Sequence, residues 1–343
     1  MKHKLILVFL GIYVAIFFLA CSTQDKVPIQ KGPYSGQADP GESPRIFAPG
    51  FISTGLYERD ISMDQNGTEI YYGIGFGKYV TIMVTRSVDG RWIEPEVASF
   101  ASDLNYFYFE PCLSHDGKKI LFLCTRPPEG EEPKAGWGHQ NIWASDRKEN
   151  GEWSEPYDLG PPINSDQAEY FPSLTKDGTL YFTRQTSDSG SFIYRSRWVD
   201  GQYKEPERLP DTVNKKGNLY NACIAGDESF LVSCMAESED GSPPGTAVYC
   251  VFFHRSDDSW SEGIKLGESI NTPGVNASSP SLSPDGKYFF FSSARTGIDD
   301  LTVLKPLKQS RILEYHNNPQ NGHSDIYWVN AEVIYRLKPP GLN

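Results

Sequence analysis

Apolar and polar residues alternate in short runs along most of the chain, and the runs come in pairs. The clearest pair is SSPSLSPDGKYFFFSS, from Ser278 to Ser293. FEPCLSHDGKKILFLCT (Phe109 to Thr125) and YFPSLTKDGTLYFTR (Tyr170 to Arg184) repeat it. RDISMDQNGTEIYYG (Arg59 to Gly73) and YNACIAGDESFLVSC (Tyr220 to Cys234) are weaker copies, the last with Gly226-Asp227 in place of Asp-Gly. Each copy is a strand-like run, a tight turn, and a second run rich in Phe, Tyr, Leu and Ile. Asp-Gly and Asn-Gly supply the positive φ values a two-residue hairpin needs, and period-two alternation is the signature of a strand.

A third and a fourth strand follow each hairpin. The third ends in a turn with a downstream aromatic residue: Val88 to Trp92, Glu149 to Trp153, Val199 to Tyr203 and Asp257 to Trp260. Glu94-Pro95, Glu155-Pro156, Glu205-Pro206 and Glu262-Gly263 then open the fourth. Proline fits there because an outermost strand has backbone donors to spare. Five such units, about 50 to 60 residues apart, predict an all-β propeller of four-stranded blades.

The fifth unit lacks an outer strand of its own. At the other end, Glu42 to Thr54 precedes the first hairpin and aligns with Ser261 to Thr272, an outer strand. The N-terminal segment is therefore expected to complete the last blade, closing the ring and removing exposed sheet edges. That gives five blades, with a sixth, degenerate blade inside Thr296 to Ser324 as the alternative.

Composition suits many short strands and turns: 38% apolar, 13% aromatic, 25 Pro and 31 Gly in 343 residues. A formal net charge of -12 argues against sequence-independent nucleic-acid binding, which needs a basic footprint. It is compatible with neutral sugars, peptides, cations or a protein partner. Cys112, Cys124, Cys223, Cys234 and Cys250 form no metal-ligand spacing, and their odd number argues against a disulfide framework. Two pairs flank hairpin turns, so a disulfide there is open, but buried, apolar free thiols are the favoured reading.

Lys2, His3 and Lys4 precede an apolar stretch from Leu5 to Phe18, and Leu19-Ala20-Cys21 follows. This resembles the lipobox of bacterial lipoproteins. The resemblance implies a signal peptide over 1–20, cleavage before Cys21, lipidation of Cys21 and no residual membrane span. By the same analogy Ser22 favours the outer membrane. Residues 21–41 read as a lipidated flexible tether and 42–343 as the propeller.

The hairpins resemble the TolB-like, WD-repeat-like β-propeller repeat, whose core reads Pro-x-Phe/Leu-Ser-Pro-Asp-Gly-Lys before a Phe/Tyr-rich strand and Ser-x-Arg. The match is strongest at Ser279 to Arg295, Glu110 to Arg126 and Tyr170 to Arg184. The resemblance implies a scaffold used by envelope binding proteins, peptidase propellers and carbohydrate-active enzymes, and it leaves activity open.

In such a blade the Asp-Gly turns share one face, and every long insertion falls on the other: Pro127 to Gln140, Glu237 to Thr246 and Thr296 to Ser324. Ligand sites favour variable loops on a rigid scaffold, so the site is expected at the channel mouth on the insertion face. The starts of the inner strands should ring it. They offer the carboxylates Glu58, Asp60, Glu110 and Glu169, and Arg59, Tyr108, Tyr170, Tyr220, Asn221, Asn276 and Ser278. Arg126, Arg184 and Arg295 recur in register at the ends of the second strands, either as ligand contacts or as scaffold pairs, with the scaffold role favoured. His139, His316 and His323, with Asp325, could hold a metal, though their spacing is loose and no cofactor is implied. Trp137 and Tyr315 could stack on a sugar ring or pin their loops.

No Gly-x-Ser-x-Gly elbow, His-Glu-x-x-His motif or sialidase-type Asp box is present. Gly73 to Lys78 lies between strands with no helix to follow, so it reads as a flexible turn and not a phosphate loop. Two functions remain. One is a non-catalytic, membrane-anchored binding protein for a protein complex, glycan or peptide. The other is a carbohydrate hydrolase or lyase using two or three of the mouth carboxylates, with Arg184 or a loop histidine assisting.

Overall fold

The computed structural model describes residues 31–186, 190–214, 218–236, 246–298, 302 and 305–341. The apolar stretch Leu5 to Phe18 and Cys21 lie outside them, as does most of Glu237 to Thr246. Among the described residues no helix is long and apolar enough to cross a membrane.

Five antiparallel four-stranded arrays form a ring. Blade 1 comprises Tyr57–Met63, Glu69–Phe76, Tyr79–Val88 and Glu96–Val97, from the channel outward. Blade 2 follows with Tyr108–Leu113, Lys119–Cys124, Asn141–Asp146 and Tyr157–Asp158. Blade 3 is Ala168–Leu174, Leu180–Thr186, Gly190–Ser196 and Glu207–Arg208. Blade 4 is Leu219–Ile224, Phe230–Ala236, Ala247–Phe253 and Ile264–Lys265. Blade 5 takes three strands from the C-terminal part of the chain, Ser281–Leu282, Tyr288–Ser293 and Asp325–Asn330. Its fourth is the N-terminal strand Arg45–Ile46, with Ile46 opposite Tyr327. The fold is the five-bladed propeller closed by its earliest strand. Among the described residues Thr296 to Ser324 makes no sixth blade; it carries the helix Gln309–His316.

The recurrent aromatic after each outer turn is a wedge between blades. Trp92 packs with Phe290 and Trp328 of blade 5. Trp153 donates its indole N–H to Tyr71 of blade 1 at 2.9 Å. Trp260 meets Tyr181 of blade 3 edge-on at 6.4 Å, and Tyr335 reaches Phe230 of blade 4 in the same way at 5.5 Å. Flat rings fill the splayed outer ends of adjacent sheets with large apolar area at little rotamer cost.

A second device is stitched around the channel. Inner strands have no sheet neighbour on the axis side, so some of their N–H groups need side-chain partners. Ser62 Oγ accepts from Leu113 N–H at 2.9 Å, and Ser173 Oγ accepts from Ile224 N–H at 3.0 Å. Ser281 Oγ donates to Ile61 O at 2.7 Å, across the seam between the last blade and the first. Cys112 and Cys223 occupy the same register; burial pushes both thiols up to about 12, with the backbones of Leu174 and Leu282 acting in the opposite direction. All five described cysteines are free thiols.

Candidate functional site

The site is made by a repeated irregularity. The first two strands slip register after Arg59, Phe109, Tyr170 and Tyr220. The next residue has positive φ in each of these four blades: Asp60 (55°), Glu110 (61°), Phe171 (55°) and Asn221 (51°). A β-bulge of this kind re-aims one side chain, and left-handed non-glycine residues cost of order 1–3 kcal/mol each, so four at one level mark a specialised ring.

Two cavities meet at that ring. Toward the Asp-Gly face a channel of about 120 Å³ runs past Asp60, Glu110, Phe171 and the four prolines Pro111, Pro172, Pro280 and Pro284. Toward the insertion face the mouth opens into a cavity of about 450 Å³. Its aromatic wall is Tyr57, Phe109, Trp137, Tyr170 and Tyr220, and its polar groups are Arg59, Glu110, Gln140 and Asn221. Trp137 comes from the first long insertion, is 46% exposed, and stacks at 6.2 Å on Phe109.

Arg59 sits between the cavities. Its guanidinium lies 5.0 Å from the centre of the Phe109 ring. Its Nε donates to Asp60 Oδ2 at 2.7 Å, and its Nη2 reaches Glu110 Oε1 at 3.5 Å. The other Glu110 oxygen accepts the Phe171 N–H at 2.7 Å. Burial pushes the Glu110 carboxyl up to about 8, with the Asp60 charge adding and Arg59 opposing. Asp60 Oδ1 and Asn221 Oδ1 are buried without a hydrogen-bond partner among the described residues.

Gly73 makes room for this group. A Cβ there would lie 2.6 Å from the Phe109 ring and 3.2 Å from Asp60 Oδ2. Glycine inside a strand marks such a close approach, which is the signal that could have found Phe109; Tyr57 carries none.

The remaining candidates lie elsewhere. Glu58 is fully buried and accepts from the Thr54 N–H and hydroxyl; burial chiefly, with the Asp325 charge, pushes it up to about 7. Glu169 is held by Ser165 and by Arg184 Nε at 2.7 Å. Arg184 also donates to Ile163 O, and Arg295 to Ser269 O and Ile270 O, so both tie a blade to its connecting loop. Arg126 lies over Tyr106 and Trp143, 3.8 Å from Asp103. Tyr108 is buried in the packing between blades 1 and 2. Asn276 accepts from Ala247 N–H, and Ser278 N–H donates to the Tyr249 hydroxyl.

His139 is buried in its own loop against Glu132 O, and the rings of His316 and His323 stand 6.1 Å apart. Asp325 accepts from Gln320 N–H. Among the described residues no three of His, Cys, Asp and Glu gather as a metal-binding group.

No protein-family model matches the sequence, and no curated protein matches it. Among solved structures the chain is similar to TolB from Acinetobacter baumannii, at 18% identity and a TM-score of 0.46, covering 70% of this chain and 49% of that one. It is also similar to the GH43 endo-arabinanase from Bacillus licheniformis, at 14% identity and a TM-score of 0.48, covering 82% and 94%. A third is the α-L-arabinofuranosidase from Podospora anserina solved with cellotriose, at 9% identity and a TM-score of 0.46, covering 88% and 96%. The chain thus spans about half of TolB and nearly all of each hydrolase.

Proposed function

We propose that this protein is a lipid-anchored component of the bacterial cell envelope whose propeller binds a glycan, without turnover, in the mouth on the insertion face. The observation that carries the binding reading is the engagement of the mouth carboxylates. Asp60 and Glu110 share one guanidinium, and Glu110 also holds a backbone N–H. A glycosidase needs one carboxylate free to attack or to activate water, with a second as proton donor. Here Asp60 Oδ2 is held by Arg59 and Glu110 Oε2 by the Phe171 N–H, while five aromatic side chains, the exposed Trp137 indole among them, offer stacking surface. Membrane attachment rests on the Leu19-Ala20-Cys21 sequence.

One observation favours the hydrolase or lyase reading. Burial pushes the Glu110 carboxyl up to about 8, the direction a general acid requires. The two readings separate in one experiment on the chain from Pro28 onward, titrated with a glycan panel and assayed for product release. Binding without turnover, weakened by Trp137→Ala, is the expected result. Product formation abolished by Glu110→Gln would replace binding with catalysis, and glycan binding indifferent to Trp137→Ala would move the site away from the mouth.

A further inference from the structure

The open side of the Arg59 guanidinium says which kind of glycan the mouth is built for. Nε is committed to Asp60, and Nη2 only reaches Glu110 at 3.5 Å. Nη1 has no hydrogen-bond partner among the described residues, and the side chain remains 15% exposed at the cavity floor. A guanidinium presents its donors as a planar fork that matches a carboxylate with two parallel N–H···O bonds. In Arg59 the Nη1–Nη2 side of that fork is the part left for a ligand.

We propose that the mouth binds an acidic sugar, with the carboxylate of a hexuronate unit seated on the Nη1–Nη2 side of Arg59. This rests on the mouth being the ligand site. Among the described residues Arg59 is the only positively charged one lining the cavity. The groups facing Glu110 are Arg59 and Asp60 from blade 1 and Tyr170 and the Phe171 N–H from blade 3. Phe171 N–H holds Oε2 of Glu110, and burial favours the neutral form of that carboxyl, which lessens the repulsion a carboxylate ligand would meet at the floor. Asn221 Oδ1, buried and unpartnered among the described residues, is an acceptor suited to a ring hydroxyl. The Trp137 face suits a flat, saturated ring, and about 450 Å³ suits one or two sugar units.

The test is calorimetric titration of the purified full chain in detergent with trigalacturonate, its neutral counterpart galactotriose, a dipeptide with a free carboxylate, and inorganic phosphate. The acidic trisaccharide should bind at least tenfold tighter than the neutral one, and Arg59→Lys, which keeps the charge but loses the fork, should erase that preference. Should Arg59→Lys fail to fold, the wild-type protein still decides: affinity for the acidic sugar should fall above about pH 8 as Glu110 ionises, while galactotriose binding stays flat. Equal binding of both sugars, lost together in Trp137→Ala, would overturn the carboxylate assignment and leave the mouth reading standing. Dipeptide or phosphate binding tighter than the uronate would overturn the sugar assignment. No saccharide binding at all would overturn both readings.

Discussion

Ser53 does for Ile326 what Asn271 does for Tyr249. Asn271 accepts from the Tyr249 N–H at 2.7 Å and donates to its carbonyl at 3.0 Å, clamping the third strand of blade 4 from the loop that follows the outer strand. Asn164 and Asn214 hold Ile142 and Ile193 in the same way. Ser53 Oγ stands 3.2 Å from the Ile326 nitrogen and 3.3 Å from its oxygen, joining residues from opposite ends of the chain. The N-terminal segment therefore supplies both the last outer strand and its clamp.

Closure is consequently a stability element. Phe47 is fully buried between Phe290 and Trp328, at ring separations of 5.2 and 5.3 Å. Phe47→Ala should cost about 3–5 kcal/mol in denaturant unfolding, as for other large buried aromatics. Ser53→Ala should cost about 1–3 kcal/mol, because it leaves the buried Ile326 N–H without an acceptor. A null effect of Phe47→Ala would mean that the first strand contributes nothing to the ring.

The channel stitches predict that two cysteines act as serine substitutes. Cys223→Ser should fall within about 0.5 kcal/mol of the parent, since serine already fills this register at Ser62, Ser173 and Ser281. Cys223→Ala should cost about 1–3 kcal/mol by emptying a buried position beside the Leu282 backbone. Equal stability of the two variants in chemical denaturation would remove the stitch.

Much of this architecture is legible in the sequence because turn chemistry is local. Asp-Gly marks the hairpins, and the likeness of Gly50-Phe51-Ile52-Ser53-Thr54 to Glu268-Ser269-Ile270-Asn271-Thr272 marks the segment that follows an outer strand. The site is less legible, because a bulge changes the parity of a strand. Alternation alone places Glu58 and Glu169 with Glu110 at the mouth. The slip after Arg59 and its equivalents instead sends Asp60, Glu110 and Asn221 to the axis and leaves Glu58 and Glu169 at the loop seams. Positive φ at Asp60, Glu110 or Phe171 has no residue signature, since none is glycine.

Raised carboxyl pKa values set the direction of pH dependence. Burial pushes Glu110 up to about 8, Glu58 to about 7 and Asp325 to about 6, all above their unfolded values. The folded state thus binds these protons more tightly than the unfolded chain. Their stabilising contribution is full below about pH 4 and is lost as pH rises through 6, 7 and 8. The melting temperature should be higher at pH 5.5 than at pH 8.5. Glu58→Gln and Glu110→Gln, neutral at every pH, should each shrink the difference. A melting temperature that rises across this range would show the carboxyls ionising freely in the fold.

Gly73 offers a way to disturb the floor of the mouth without touching a polar group. An alanine Cβ there would stand 2.6 Å from Phe109 Cδ1 and 2.9 Å from Cε1, closer than packed atoms tolerate. Phe109 cannot retreat freely, because Arg59 covers it at 5.0 Å and Trp137 stacks on it at 6.2 Å. Gly73→Ala should therefore cost about 1–3 kcal/mol as an overpacking change and shift the Trp137 emission. Gly75 is the internal control: a Cβ there meets Tyr57 at 3.5 Å, an ordinary contact. Gly75→Ala should leave stability within about 1 kcal/mol of the parent and emission unchanged. If both variants behave alike, the Arg59–Phe109–Trp137 stack is not the rigid floor that the geometry describes.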